Sequence, residues 1–154
     1  MGNVFIQMRD DKPVTTANFM NLTQRGVYDN TIFHRVISGF MIQGGDPTGT
    51  GYGDSSIPNI PDEIGSDNRN TRGTIAMANT GQPNSASSQF FINTVNNGGA
   101  TNPTFDTSYT VFGTVIQGMD VVDAISNVAT TGPNGSPADK PLTPVTIIRA
   151  TVLP

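Results

Sequence analysis

Short apolar runs separated by polar turns dominate this chain, and they predict a domain built mainly from strands. Such runs occupy residues 74–78, 89–94, 111–117 and 145–152, and residues 3–8 alternate between apolar and polar positions. Runs of this length that are bounded by Gly, Pro, Asn and Ser are typical of β-strands. The pattern therefore predicts a strand for each of these five segments.

The segment 32–43 has the pattern of two strands joined by a tight turn. Residues 32–37 are apolar and β-branched, Ser38-Gly39 is a turn signal, and an apolar run resumes at residues 40–43. Because side chains alternate between the two faces of a strand, we expect Arg35 and Ile37 to share one face. An Arg on a strand is held more rigidly than one on a loop.

Two helices are predicted between these strands. Pro13 is typical of a first helical turn, and the apolar residues after it end at Gly26, which stops the helix. Val121, Val122 and Ile125 have the spacing of a second helix. Many short strands with few helices favour a β-barrel or a β-sandwich. Residues 44–72 and 94–103, which are rich in Gly, Asn, Asp and Pro, are expected to be surface loops.

Composition predicts one domain over residues 1–154 and excludes several functional classes. The eight Lys and Arg are scattered and the formal net charge is −4, which disfavours a nucleic-acid partner. The chain has no Cys, and therefore neither a disulfide framework nor a thiolate metal site. No apolar run approaches the length of a membrane span, and no leader pattern opens the chain, so we expect a soluble, cytoplasmic protein.

Four segments, in order along the chain, resemble the cyclophilin family of peptidyl-prolyl cis/trans isomerases. Residues 30–46 contain the family's Phe-His-Arg and Gly-Phe-Met-x-Gln-Gly-Gly-Asp strings. Residues 73–79 (GTIAMAN), 85–93 (SASSQFFIN) and 105–125 (FDTSYTVFGTVIQGMDVVDAI) are similar to further cyclophilin segments. The resemblance covers nearly the whole chain.

This resemblance implies a mainly β fold, a closed antiparallel barrel of seven or eight strands capped by two α-helices. Residues 2–5 match the family's second strand, and the usual first strand has no counterpart. We expect residues 3–8 and 145–152 to pair directly and close a barrel of about seven strands, because the apolar pattern of the second segment is costly to leave in water. The alternatives are a gap bridged by another molecule and a tolerated open edge.

The implied reaction is rotation about an X-Pro peptide bond, which amide resonance opposes with a barrier of about 18–20 kcal/mol. A catalyst needs no covalent step, only tighter binding of the twisted amide than of either planar form. Twisting makes the prolyl nitrogen basic, and the resemblance assigns Arg35 as the N–H donor to it. The alternative is that Arg35 only pairs with a surface carboxylate. No metal and no cofactor are implied.

The resemblance also assigns the residues that would bind substrate, although aromatic residues and Met on strands ordinarily belong to the core. Phe40, Met41, Phe91 and Phe105 would form an apolar pocket for the proline ring, and Phe90 would face the opposite way into the core. Gln43 and Gln89 would hold the substrate carbonyl and backbone, and Ala78 and Asn79 would pair with the peptide as a strand edge. Tyr109 stands where many cyclophilins have a pocket histidine. The expected substrate-binding residues are therefore Phe40, Met41, Gln43, Ala78, Asn79, Gln89, Phe91, Phe105 and Tyr109.

Two further positions affect the expected ligands and chemistry. Thr104 aligns with a Trp of many eukaryotic cyclophilins, so we expect weak binding of the cyclic peptide cyclosporin. His34, the only histidine, neighbours Arg35 on the strand and should point away from the site. We interpret it as a structural histidine with satisfied hydrogen bonds.

Two classes of function remain open at the level of sequence. The favoured one is a monomeric, cofactor-free peptidyl-prolyl isomerase that acts on proline-containing peptides and on unfolded or flexible protein clients and so assists folding. The other is a module that binds proline peptides with little catalytic activity. The Arg, Phe and Gln residues of the motif favour the enzyme.

Overall fold

Eight strands and three helices organise the chain in the computed structural model, which describes all residues 1–154. They are β1 (Phe5–Met8), α1 (Pro13–Gln24), β2 (Thr31–Ile32), β3 (Arg35–Ile37), β4 (Met41–Gly44), β5 (Thr74–Met77), β6 (Phe90–Asn93), α2 (Pro103–Ser108), β7 (Val111–Gln117), α3 (Met119–Ser126) and β8 (Thr146–Ile147). The mainly β class predicted from the sequence is confirmed.

The strands form a six-stranded antiparallel sheet in the order β1-β7-β5-β6-β4-β3 and a two-stranded sheet of β2 and β8. The ladder of the larger sheet ends at β1 on one side and at β3 on the other. The closed barrel expected from the resemblance is therefore not confirmed, because these two strands each have only one strand partner.

Direct pairing of residues 3–8 with 145–152 is wrong. β1 pairs with β7 alone, and the only strand within residues 145–152 is β8, which pairs with β2. The backbone explains this choice, since the N–H groups of Asn30 and Phe33 donate to the carbonyls of Ile147 and Val145 at 2.7 and 2.9 Å. Ile148 stays 79% exposed, so part of the apolar pattern remains in water.

The other elements follow the predictions with two differences. The predicted strand 32–37 is interrupted at Phe33 and His34, since β2 and β3 belong to different sheets. A third, short helix, α2, begins at Pro103, at the end of a segment that we expected to be a loop. Pro at the first position of a helix is a start signal. The helix has only six residues, however, and their mixed polarity gives no helical pattern in the sequence.

One face of the six-stranded sheet packs into the main core. Four residues that pair one after another across β3, β4, β6 and β5 are each at most 3% exposed: Val36, Ile42, Ile92 and Ile75. Helix α1 covers this face through Phe19, whose ring lies 4.9 to 5.5 Å from the rings of three buried aromatic residues, Tyr28, Phe90 and Phe112. The opposite face of the same strands is left for the candidate site.

A loop over residues 46–53 is organised around one buried carboxylate. Asp46 is fully buried and accepts hydrogen bonds from the backbone N–H groups of Thr48, Gly51 and Gly53 at 2.8, 2.7 and 3.2 Å. Gly51 and Gly53 have φ of +88° and +81°, a region that favours Gly. Burial alone would raise the pKa of Asp46, but these hydrogen bonds outweigh burial and hold its pKa below the ordinary 3.8.

We predict that Asp46→Asn lowers the free energy of unfolding at pH 7 by roughly 1–3 kcal/mol, since an amide cannot accept all of these bonds on both atoms. A carboxyl group with a lowered pKa in the folded state stabilises above its ordinary pKa and loses that contribution as the pH falls. The free energy of unfolding in urea should therefore differ between wild type and Asp46→Asn by an amount that shrinks below about pH 4. Asp10→Asn, which alters an exposed carboxylate, is the control; an equal loss there, or a difference independent of pH, would contradict this account.

Candidate active site

Strand register places five residues from five strands in one row on the face opposite the main core. The paired positions run Arg35–Gln43, Gln43–Phe91, Phe91–Ala76 and Ala76–Val111. Cross-strand partners share a face and lie close together, so this row joins one guanidinium, one amide and three apolar side chains. The residues come from segments that are up to 76 positions apart in the chain, between Arg35 and Val111.

A cluster of apolar side chains, called the aromatic pocket below, includes the Phe91, Ala76 and Val111 end of the row and extends to Met41 on β4. Its floor consists of four buried residues, and five partly buried residues pack against them: Met41, Ala76, Phe91 and Val111, then Ile37, Phe40, Ala78, Phe105 and Tyr109. The ring centroids of Phe91 and Phe105 are 5.7 Å apart, and Tyr109 lies 5.4 Å from Phe91 and 4.6 Å from Phe105. Phe40 contacts Phe105 at 5.7 Å. The aromatic walls expected from the sequence are thus brought together, and Phe90 faces the core as predicted.

Arg35 keeps its guanidinium free of hydrogen bonds within the protein. Its side chain is 44% exposed, and the only carboxylate within ion-pair distance is that of Asp139, whose Oδ2 lies 3.9 Å from Arg35 Nε. This separation is too long for a hydrogen bond. The alternative role for Arg35 was pairing with a carboxylate, and Asp139 is the candidate partner. Asp139 lies on the Nε side of the guanidinium, so the two terminal amino groups stay available.

The two glutamines form a short chain of amides beside Arg35. Gln43 Nε2 donates to Gln89 Oε1 at 2.9 Å, and Gln89 Nε2 donates to the carbonyl of Gly51 at 3.0 Å. Each bond fixes the orientation of one amide, so the carbonyl oxygen of Gln43 remains as a free acceptor. The loop over residues 46–53 is thereby tied to the site.

Ala78 and Asn79 do not belong to a strand, because β5 ends at Met77. Within the sheet, β5 lies between β7 and β6. The N–H of Ala78 donates to the carbonyl of Gln89 at 3.0 Å. The Asn79 side chain donates to the carbonyl of Ser108 and accepts from Gly81 N–H. The backbone N–H and C=O of Asn79 make no hydrogen bond within the protein. The peptide-pairing edge expected from the sequence is thus not a strand, and only the backbone groups of Asn79 are free to pair.

A buried polar network holds α2, and with it Phe105 and Tyr109, against the sheet. Asn68 Nδ2 donates to the carbonyls of Asp106 and Tyr109 at 2.6 and 2.9 Å, and Asn68 Oδ1 accepts from Val111 N–H at 2.8 Å. The N–H of Asn70 donates to Asp106 Oδ1 at 2.6 Å. Asn68 and Asn70 are fully buried. Sequence reasoning missed both, because they lie in a segment whose Asn and Gly content indicates only a loop.

His34 is buried under the loop that Asp46 organises. A Cβ added to Gly51 would lie 3.4 Å from His34 Cδ2. Burial lowers the pKa of His34 below its ordinary 6.5; the Asp46 carboxylate raises it and the Arg35 charge lowers it. Burial therefore favours the neutral form of the ring. Its Nδ1 has no hydrogen-bond partner, so the expected full satisfaction of this histidine is wrong in part.

The structure contains no group of three or more His, Cys, Asp or Glu side chains placed to hold a metal ion. None of its helices combines the length and the apolar character that crossing a membrane requires. The chemistry of the site is thus that of one guanidinium, two amides, exposed backbone groups and an aromatic pocket.

Comparison with known proteins identifies relatives that span most of the chain. The family model for cyclophilin type peptidyl-prolyl cis-trans isomerases (Cyclophilin type peptidyl-prolyl cis-trans isomerase/CLD) matches residues 1–152. Peptidyl-prolyl cis-trans isomerase B of Escherichia coli K12 is 44% identical over 155 residues, covering 98% of this chain and 94% of the relative. A peptidyl-prolyl cis-trans isomerase of Acinetobacter baylyi is 44% identical over 149 residues, covering 96% of this chain and 79% of the relative.

A solved structure gives the same result for the fold. The crystal structure of a cyclophilin type peptidyl-prolyl cis-trans isomerase of Cryptosporidium parvum, determined in the presence of the dipeptide Ala-Pro, is similar with a TM-score of 0.87 and 32% identity. The match covers 99% of this chain and 94% of the other. By the family model, by sequence identity and by fold, this chain belongs to the cyclophilin-type peptidyl-prolyl cis-trans isomerases.

Proposed function

We propose that this isomerase rotates X-Pro bonds with Arg35 as the hydrogen-bond donor to the prolyl nitrogen of the twisted amide. The row Arg35–Gln43–Phe91 is the observation that supports this assignment, because it sets a free guanidinium next to an aromatic pocket. A planar amide nitrogen is a poor acceptor, whereas a pyramidal one is basic. The bond from Arg35 therefore forms mainly in the transition state, which is the condition for acceleration.

The aromatic pocket anchors the proline ring in this mechanism. Phe91 forms the buried floor, and Phe105 and Tyr109 are the rings beside it. Burying a proline ring against these side chains supplies affinity without a polar requirement. The ring then stays fixed while the residue before it turns about the peptide bond. Gln43, with its free carbonyl oxygen, and Gln89, which orients it, would hold the peptide backbone.

The free backbone N–H and C=O of Asn79 favour a peptide that binds in extended form. Main-chain hydrogen bonds provide affinity with little choice of side chain, so we expect tolerance for the residue before proline. Substrates would be proline-containing peptides and unfolded or flexible proteins, whose folding this activity assists. The dipeptide Ala-Pro named with the Cryptosporidium relative belongs to this class. The cytoplasmic location and the monomeric state stay predictions.

We predict that Arg35→Ala lowers kcat/KM for an X-Pro peptide by roughly 100-fold or more, since it removes a donor used mainly in the transition state. Arg35→Lys should recover little, because a point-like ammonium does not reproduce the planar fork of a guanidinium. Isomerisation measured by NMR exchange on a short X-Pro peptide gives the rates. Arg149→Ala, a change at an exposed Arg without side-chain partners, is the control.

Unchanged turnover in folded Arg35→Ala would overturn the assignment of the donor. Peptide binding without any catalysis by the wild type would instead favour the alternative of a binding module. The two outcomes are distinguishable, because the second is read from the wild type alone.

A second prediction concerns Tyr109, which stands where many cyclophilins have histidine. Its hydroxyl makes no hydrogen bond within the protein, while its ring packs on Phe91 and Phe105. Tyr109→Phe should keep both kcat and KM within about twofold, and Tyr109→Ala should raise KM by roughly tenfold because it opens the pocket wall. Steady-state kinetics on one peptide series compares the two. A strong effect of Tyr109→Phe would show that the hydroxyl, not the ring, matters.

A third prediction concerns cyclosporin. Thr104 is exposed in the first turn of α2, next to the pocket residue Phe105, and offers neither an indole N–H nor its apolar surface. We expect weak binding by the wild type and tighter binding, by roughly tenfold, after Thr104→Trp, the effect of one added hydrogen bond with its apolar contact. Isothermal titration calorimetry measures both, with Thr107→Trp on the same helix as the control. Tight binding to the wild type, or equal gains in both variants, would contradict the prediction.

A further inference from the structure

Residues 129–142 form a hairpin-like segment that docks on the outer edge of β3, the strand that carries Arg35. The N–H groups of Thr131 and Leu142 donate to the carbonyls of Lys140 and Ala129, each at 2.9 Å, and hold the segment together. At the contact with β3, the N–H of Val36 donates to the carbonyl of Asp139 at 2.9 Å. This bond fixes Asp139 beside the residue that follows Arg35.

Asp139 occupies a backbone position that a residue with a side chain seldom adopts. Its φ is +55°, in the left-handed region that favours Gly and tolerates Asn and Asp. Asp residues in turns commonly use the carboxylate to bond their own loop. The Asp139 carboxylate makes no hydrogen bond, although its side chain is only 13% exposed. Its geometry therefore indicates a role outside its own loop.

Arg35 is the only cation within ion-pair distance of this carboxylate, with 3.9 Å between Arg35 Nε and Asp139 Oδ2. Attraction between opposite charges strengthens when one of them is removed from water, as the Asp139 carboxylate largely is. The contact lies on the Nε side of the guanidinium. Neither terminal amino group of Arg35 is bound by a carboxylate.

We propose that Asp139 is a positioning residue, which holds the Arg35 guanidinium in the orientation that meets the prolyl nitrogen. This inference rests on the proposed role of Arg35. An Arg side chain that is free to turn loses conformational entropy when it binds. If Asp139 restrains the Arg35 side chain before substrate binds, the catalytic step no longer includes that entropy cost. Loss of Asp139 should therefore change kcat more than KM.

Asp139→Asn tests the proposal, because Asn tolerates a positive φ and keeps the shape while removing the charge. We expect kcat to fall by about tenfold, a coupling of ordinary size, with KM nearly unchanged. In the Arg35→Ala background, the same change should have no further effect, since the partner is already absent. Asp123→Asn is the matched control: it breaks the ion pair of Asp123 with Arg72 at 2.7 Å and should leave kcat unchanged.

A measurement on the wild type keeps the test independent of how well the variant folds. ¹⁵N relaxation of arginine Nε–H groups should show Arg35 to be more ordered than Arg149, and Asp139→Asn should remove that difference. Equal mobility of both side chains in the wild type, or an unchanged kcat in Asp139→Asn, would overturn the proposal. An inactive wild type, or a fully active Arg35→Ala, would overturn the proposed function itself, and the mobility of Arg35 would still be decided separately.

Discussion

The register of the six-stranded sheet is the constraint on which the site depends. Strands have a side-chain period of two, so a slip of one residue between β3 and β4 would turn Arg35 or Gln43 toward the core and move its apolar neighbour into the site. The main core prevents such a slip, because Val36 and Ile42 are buried on the other face. The free energy that stabilises the core therefore also positions the opposite face, which carries Arg35 and Gln43.

The pocket needs a second constraint, since Phe105 lies on a six-residue helix that is too short to be stable alone, and Tyr109 directly follows it. Buried amides supply it. Asn68 and Asn70 satisfy carbonyl groups of α2 that a longer helix would satisfy internally, and Asp106 accepts the N–H of Asn70. Leaving any of these buried groups unpaired costs roughly 1–3 kcal/mol, so the network specifies one position for α2. Apolar contacts alone would tolerate several.

Local pattern predicted the strands that carry the site, and the β3–β4 turn at Ser38-Gly39, because these depend on alternation and turn chemistry within a few residues. The interruption at Phe33 and His34 and the pairing of β8 with β2 depend on contacts between segments more than a hundred residues apart. So does the Asp139 contact. No local pattern contains that information. The family resemblance supplied the candidate site residues. The expectation that residues 3–8 pair with 145–152, which rested on the apolar pattern of the second segment, is wrong because β8 pairs with β2.

The low content of charged residues affects how strongly the guanidinium of Arg35 can act. Charged residues make up 13% of this sequence, and the face around Arg35 consists of amides, aromatic rings and backbone groups. A guanidinium in such surroundings meets little competition from other charges, and its N–H groups keep their full strength for a weak, transient acceptor such as a twisted amide nitrogen. A carboxylate bonded directly to the terminal amino groups would cancel that advantage. Asp139 lies at the Nε side and beyond hydrogen-bond distance, so in the proposed mechanism it balances the charge of Arg35 and leaves the donors of Arg35 to the substrate.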